Sequence, residues 1–90
     1  MISNETLRYE IAGRLDELDA DLGKLHLSVR WESSPRIARV GACIEAFTWE
    51  NRMAVIGALL EFERAHADEL ALEFDVIPLE AVNDERFIEA

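Results

Sequence analysis

Between Lys24 and Glu32 the chain alternates without a fault. Leu25, Leu27, Val29 and Trp31 fall on one side, and Lys24, His26, Ser28, Arg30 and Glu32 on the other. Side chains of a β-strand point to opposite faces in turn, so this pattern predicts a strand with one buried and one polar face. A strand of that kind requires at least one neighbouring strand and an apolar layer over its buried side. A second alternation, Leu70, Leu72, Phe74 and Val76 against Ala71, Glu73, Asp75 and Ile77, predicts another strand with acids on its open face. Pro78 cannot donate to a ladder, so this strand ends there or lies at a sheet edge.

Two segments read as helices. Leu7, Ile11, Leu15, Leu18 and Leu22 recur at helical spacing and predict a helix over about Asn4 to Leu22, capped by Ser3 or Asn4 and ended by Gly23 in a left-handed conformation. Gly13 inside it costs about 1 kcal/mol relative to Ala. Thr48 is the expected N-cap of a second helix, Trp49 to about His66. There Trp49, Met53, Ile56 and Leu60 form one stripe, and Val55, Leu59 and Phe62 an adjacent one. So broad an apolar face must be covered on more than one side, by the sheet and by the first helix or a partner subunit.

The stretch from Arg36 to Phe47 fits two periods. Ala38, Val40, Ala42, Ile44 and Ala46 share a strand face, whereas Ile37, Val40, Gly41, Ile44 and Phe47 share a helix face with Ser34 and Pro35 as its start. The strand is favoured, since a helix here would leave a two-stranded sheet of little stability. The expected fold is therefore α+β in the order α-β-β-α-β: a small mixed three-stranded sheet with two helices packed on one face. The β-α-β crossover is expected to be right-handed, with parallel strands. The other sheet face should display His26, Ser28, Arg30, Glu73 and Asp75.

A chain of 90 residues supports one hydrophobic core, so residues 1–90 read as a single acidic domain, with residues 80–90 as a flexible acidic tail that keeps Val82, Phe87 and Ile88. The start has neither the basic residues nor the apolar run of a signal peptide, and no long apolar stretch follows, so a soluble cytoplasmic protein is expected. The single cysteine, Cys43, rules out an intrachain disulfide and agrees with a reducing compartment.

The net charge of −10 is unevenly spread. The segment Glu5 to Asp21 carries −4, Lys24 to Arg39 carries +3, Glu45 to Arg64 carries −2, and the remainder carries −7. Such a field repels phosphate backbones and anionic membranes and speeds encounter with basic surfaces. No direct nucleic-acid or membrane partner is expected.

The candidates for chemistry are sparse. Glu63 and His66 have the Glu-x-x-His spacing of di-iron bundles, but such a site needs a second pair and two more glutamates on neighbouring helices, and only one copy of the pair exists here. His26 on the polar strand face, across from Glu73 or Asp75, would suit a general base, yet a surface histidine beside an acid is more often only solvated. Cys43 in Gly-Ala-Cys-Ile reads as a small buried apolar residue. The paired carboxylates lie in polar runs, and the four glycines build no phosphate loop. Trp31 and Trp49 fall on apolar faces and are expected in the core. No enzyme, catalytic residue, cofactor or metal is therefore expected.

What competes with mere solubility is the acidic C-terminal part. Asp68, Glu69, Glu73, Asp75, Glu80, Asp84 and Glu85 form the expected partner-binding set, meeting the basic surface of a nuclease or another nucleic-acid-handling complex. The expected function is that of a non-catalytic inhibitor. By size and charge alone it is analogous to immunity proteins, antitoxins and phage anti-defence proteins such as anti-CRISPR proteins. A homodimeric structural or adaptor module is the alternative, and a small-ligand or metal-binding domain the third reading.

Overall fold

The structure, a computed structural model, describes residues 2–80. Two helices and three strands follow in the expected order: α1 (Asn4–Asp16), β1 (Leu25–Glu32), β2 (Ile37–Ile44), α2 (Trp49–Ala65) and β3 (Ala71–Pro78). The ambiguous stretch is thus a strand, and it is the central one. It pairs antiparallel with β1 and parallel with β3, giving the sheet order β1-β2-β3. Of the expected acidic tail, everything after Glu80 lies outside the described residues.

The register explains why an alanine-rich strand belongs in the middle. Ala38 lies between Trp31 and Leu72, and Ala42 between Leu27 and Val76, so a small central residue stands between larger ones on both sides. Both alanines are fully buried. The intervening row joins Val29, Val40 and Phe74, and these residues share the face on which both helices pack. From α1 come Leu7, Ile11 and Leu15, and from α2 Val55, Ala58, Leu59 and Phe62. Helix α1 lies against β1, α2 against β3, and the helices touch each other.

Ser3 caps α1, its hydroxyl accepting from the Thr6 N–H at 3.2 Å. Asn4, in the first turn, accepts the Trp31 N–H at 2.6 Å and so ties the helix start to the outer edge of β1. The helix stops at Asp16, six residues short of the expected Leu22. Continuing it would set Glu17, Asp19 and Asp21 against the negative end of the helix dipole. Leu18 and Leu22 still reach the core from irregular backbone, which is how the apolar stripe outran the helix. Gly23 is left-handed as expected, with φ of 70°, but it serves the entry to β1 instead of a helix end. A Cβ there would come within 2.6 Å of the Glu45 carboxylate, which accepts the Lys24 N–H.

Thr48 caps α2 by accepting from the Asn51 N–H at 3.1 Å. Only one of the two predicted stripes of α2 is buried. Trp49, expected in the core, is 66% exposed, and Met53 and Leu60 are each 45% exposed. Trp49 stands in the first helical turn, ahead of the first buried residue, Val55, and its ring meets the Arg52 guanidinium at 5.8 Å. Trp31 does pack against the core, partly buried.

Truncation separates the two stripes. Phe62→Ala should cost about 3–5 kcal/mol, whereas Trp49→Ala should change stability by no more than about 0.5 kcal/mol, both read from urea unfolding midpoints. A comparable loss for both would contradict the placement of Trp49.

Candidate functional site

The five expected partner-binding acids within the described residues follow one strand. Asp68 and Glu69 sit in the turn between α2 and β3, beside Trp31, Arg36 and Ile2. Glu73 and Asp75 project from β3 on the sheet face away from the helices, and Glu80 follows its end, beside Leu79, Pro78 and Phe47. All five are exposed. Asp84 and Glu85 lie outside the described residues.

At about 3.3 Å per residue, β3 separates the two ends of this set by more than about 20 Å. The acids therefore form a line along an edge strand and not one compact face. Only one of them has an ion-pair partner among the described residues. Arg39 donates to Glu73 and, through Nε at 3.1 Å, to Glu32. The hydrogen bond to Glu32, then the charges of Glu32 and Glu73, push the Arg39 guanidinium further up from its already high range. Asp75 stands in the next row, with Gly41 and Ser28, where the absent side chain of Gly41 leaves a shallow trough.

The expected neighbour of His26 is corrected by the sheet order. Strands β1 and β3 flank β2 and never pair, so His26 does not face Glu73 or Asp75. Its row contains Cys43 and Ile77. That puts an imidazole in register with the one thiol, a juxtaposition that spacing alone did not reveal. No hydrogen bond joins them, and burial pushes the Cys43 thiol up, the opposite of what a nucleophile requires. Cys43 is buried, as expected, but on the sheet face opposite the helices and apart from the main core.

Glu63 and His66 are each engaged elsewhere. The Glu63 carboxylate accepts the Leu72 N–H at 2.8 Å, binding α2 to β3. His66 Nδ1 lies 2.9 Å from the Phe62 carbonyl oxygen, its ring stacks against Phe62 at 4.3 Å, and Nε2 is 3.7 Å from Glu10. Among the described residues no three His, Cys, Asp or Glu side chains converge as metal ligands would. No helix of the described residues is long and apolar enough to cross a membrane.

Sequence reasoning did not find the backbone of β3. Ala71 donates its N–H to Arg36 on the β2 side, so the alternate residues Leu72, Phe74 and Val76 turn their N–H and C=O groups outward. The Leu72 N–H is taken by Glu63, and no described strand pairs with the rest of that edge. Pro78 was the available signal, since it marked this segment as an edge.

No protein-family model, curated protein or solved structure matches the chain. Its function is therefore argued from this surface alone.

The burial of Cys43 has a chemical consequence. In the native protein a disulfide reagent at neutral pH should label Cys43 at least about tenfold more slowly than in urea, because access and thiolate fraction both fall. Equal rates in the two states would place the thiol in solvent.

Proposed function

We propose that the chain is a non-catalytic acidic binding protein that docks on the basic surface of a protein partner and blocks it. The partner class favoured by the charge is a nuclease or another nucleic-acid-handling protein, whose basic channel is built to receive a line of negative charge. The observation that carries this reading is the string Asp68, Glu69, Glu73, Asp75 and Glu80 along one exposed strand and its flanking turns. Four of these five carboxylates have no ion-pair partner among the described residues.

A field of this kind acts first on encounter. Complementary charge raises association rates by long-range attraction and limits binding to surfaces of the right sign, and salt screens it. The net charge of −10 on each copy opposes self-association at long range.

Affinity capture on the immobilised chain should retain basic proteins that elute as salt rises. For a partner so obtained, raising ionic strength from about 0.05 to about 0.3 M should slow association at least tenfold while dissociation changes little. Replacing Asp68, Glu69, Asp75 and Glu80 together by Lys should slow association by a similar factor with the melting temperature nearly unchanged. Association indifferent to salt and to these substitutions would overturn the proposal.

A further inference from the structure

We propose that the partner supplies an extended segment, alternating basic and apolar side chains, which pairs with the outer edge of β3 as a fourth strand. This inference rests on the basic-partner reading above and gives it a mode of binding.

The edge offers main-chain groups first. Phe74 and Val76 present N–H and C=O groups outward, as Leu72 does its C=O, and Pro78 closes the strand. An added strand satisfies such groups at once, while pockets on its alternate faces select the side chains. Those two faces differ sharply here. A residue opposite Glu73 or Asp75 in the added strand points to the same side as they do, where opposite charge stabilises the pair. A residue opposite Phe74 or Val76 points to the helix side.

Among the described residues that side is largely apolar, with Glu63 and Arg64 at its α2 end, and only partly covered. Phe74 and Val76 are only partly buried. Leu60 lines a hollow with Leu70 and Ala71, and Glu63 next to it reaches Leu72, so this flank of α2 overlooks the β3 edge. Because β2 and β3 are parallel, α2 runs back against them. From Leu60 to Trp49 the helix rises about 16 Å, and five residues of strand span about the same distance. Leu60 is thus the exposed apolar residue of α2 beside the strand edge, Met53 and Trp49 continue the same helix stripe, and the apolar side chains of an added strand would meet the Leu60 end of it.

A second copy of the chain fits this edge poorly. Antiparallel pairing of β3 with itself about Phe74 sets Glu73 opposite Asp75 twice, which is repulsive, and the register about Val76 that avoids this sets Phe74 opposite Pro78, which has no N–H to donate. The outer edge of β1 has its Trp31 N–H already occupied by Asn4 and lies beside α1. Charge complementarity therefore favours, as the occupant, a strand of opposite sign from another protein.

Amide hydrogen exchange on the full chain, with three synthetic peptides of about ten residues, tests this. One alternates Lys or Arg with Val or Leu, the second carries the same residues in separate basic and apolar blocks, and the third is the alternating peptide N-methylated at every second position. The alternating peptide should slow exchange at Phe74 and Val76 at least tenfold and bind at least tenfold more tightly than the other two. Val76→Pro, checked for an unchanged fold by its melting curve, should remove that preference and leave salt-sensitive binding of the block peptide. Equal binding of all three peptides would overturn strand addition while leaving capture of basic partners intact. No binding of any of them at low salt would overturn both. Protection of Phe74 and Val76 in the free chain, at any concentration, would show the edge already filled and overturn the proposal.

Discussion

The structure depends on β2. Among the described residues it is the only strand with a neighbour on each side, one antiparallel and one parallel, and its pairing closes the local hairpin and the long crossover together. That role asks for small side chains. Ala38 and Ala42 are fully buried between larger residues of both neighbours, so the helices can approach the sheet centre while the outer strands supply volume. On the opposite face Gly41 occupies the corresponding middle position. The central strand thus sets the spacing of both layers by what it lacks, and a bulkier residue at Ala38 or Ala42 would have to displace a helix or a neighbouring side chain.

The parallel β2–β3 pair also decides where the charge goes. The crossover through α2 carries the chain to the far side of β2 from β1, so the most acidic third of the sequence starts at an edge. Arg39 of β2 pairs with Glu73, and its second bond to Glu32 couples all three strands across the open face, one cation shared between two carboxylates. Arg39 and Glu73 are solvent-exposed and Glu32 partly so, and their pairing contributes little to stability. Its effect is on pattern: the basic hairpin is partly spent on internal pairing, and the carboxylates left at the edge carry the outward field.

Much of the fold was legible, and the failures have physical causes. Strands β1 and β3 alternate because each has one solvated face, which is the condition under which period two becomes visible. Apart from Arg39, strand β2 has small or apolar residues on both faces, so Ile37, Val40, Gly41, Ile44 and Phe47 read as a helix face as easily as Ala38, Val40, Ala42, Ile44 and Ala46 read as a strand face. Helix α1 was read too long because Leu18 and Leu22 keep helical spacing while packing from irregular backbone. Trp49 was misplaced because an apolar residue at helical spacing reveals its face but not whether the sheet extends beneath it. The acids of the candidate site were legible as residues, whereas their arrangement as a line followed only from sheet order. That order equally removed His26 from the company of Glu73 and Asp75.

An acidic edge that no described strand covers also resolves a tension in so small a protein. Exposed edge strands invite association, and many domains blunt them with lysines, bulges or covering loops. Here β3 has Glu63 on its first outward N–H and Pro78 at its end, and Glu73 and Asp75 between them make pairing with another copy of the same strand repulsive. The same carboxylates leave the edge attractive to a strand of opposite sign. Charge placed along a strand discriminates between these two kinds of neighbour because cross-strand pairs lie within about 5 Å, close enough for sign to matter even when exposed. The acidity that opposes pairing of this edge with itself is therefore, in this geometry, also what would select a partner of opposite sign.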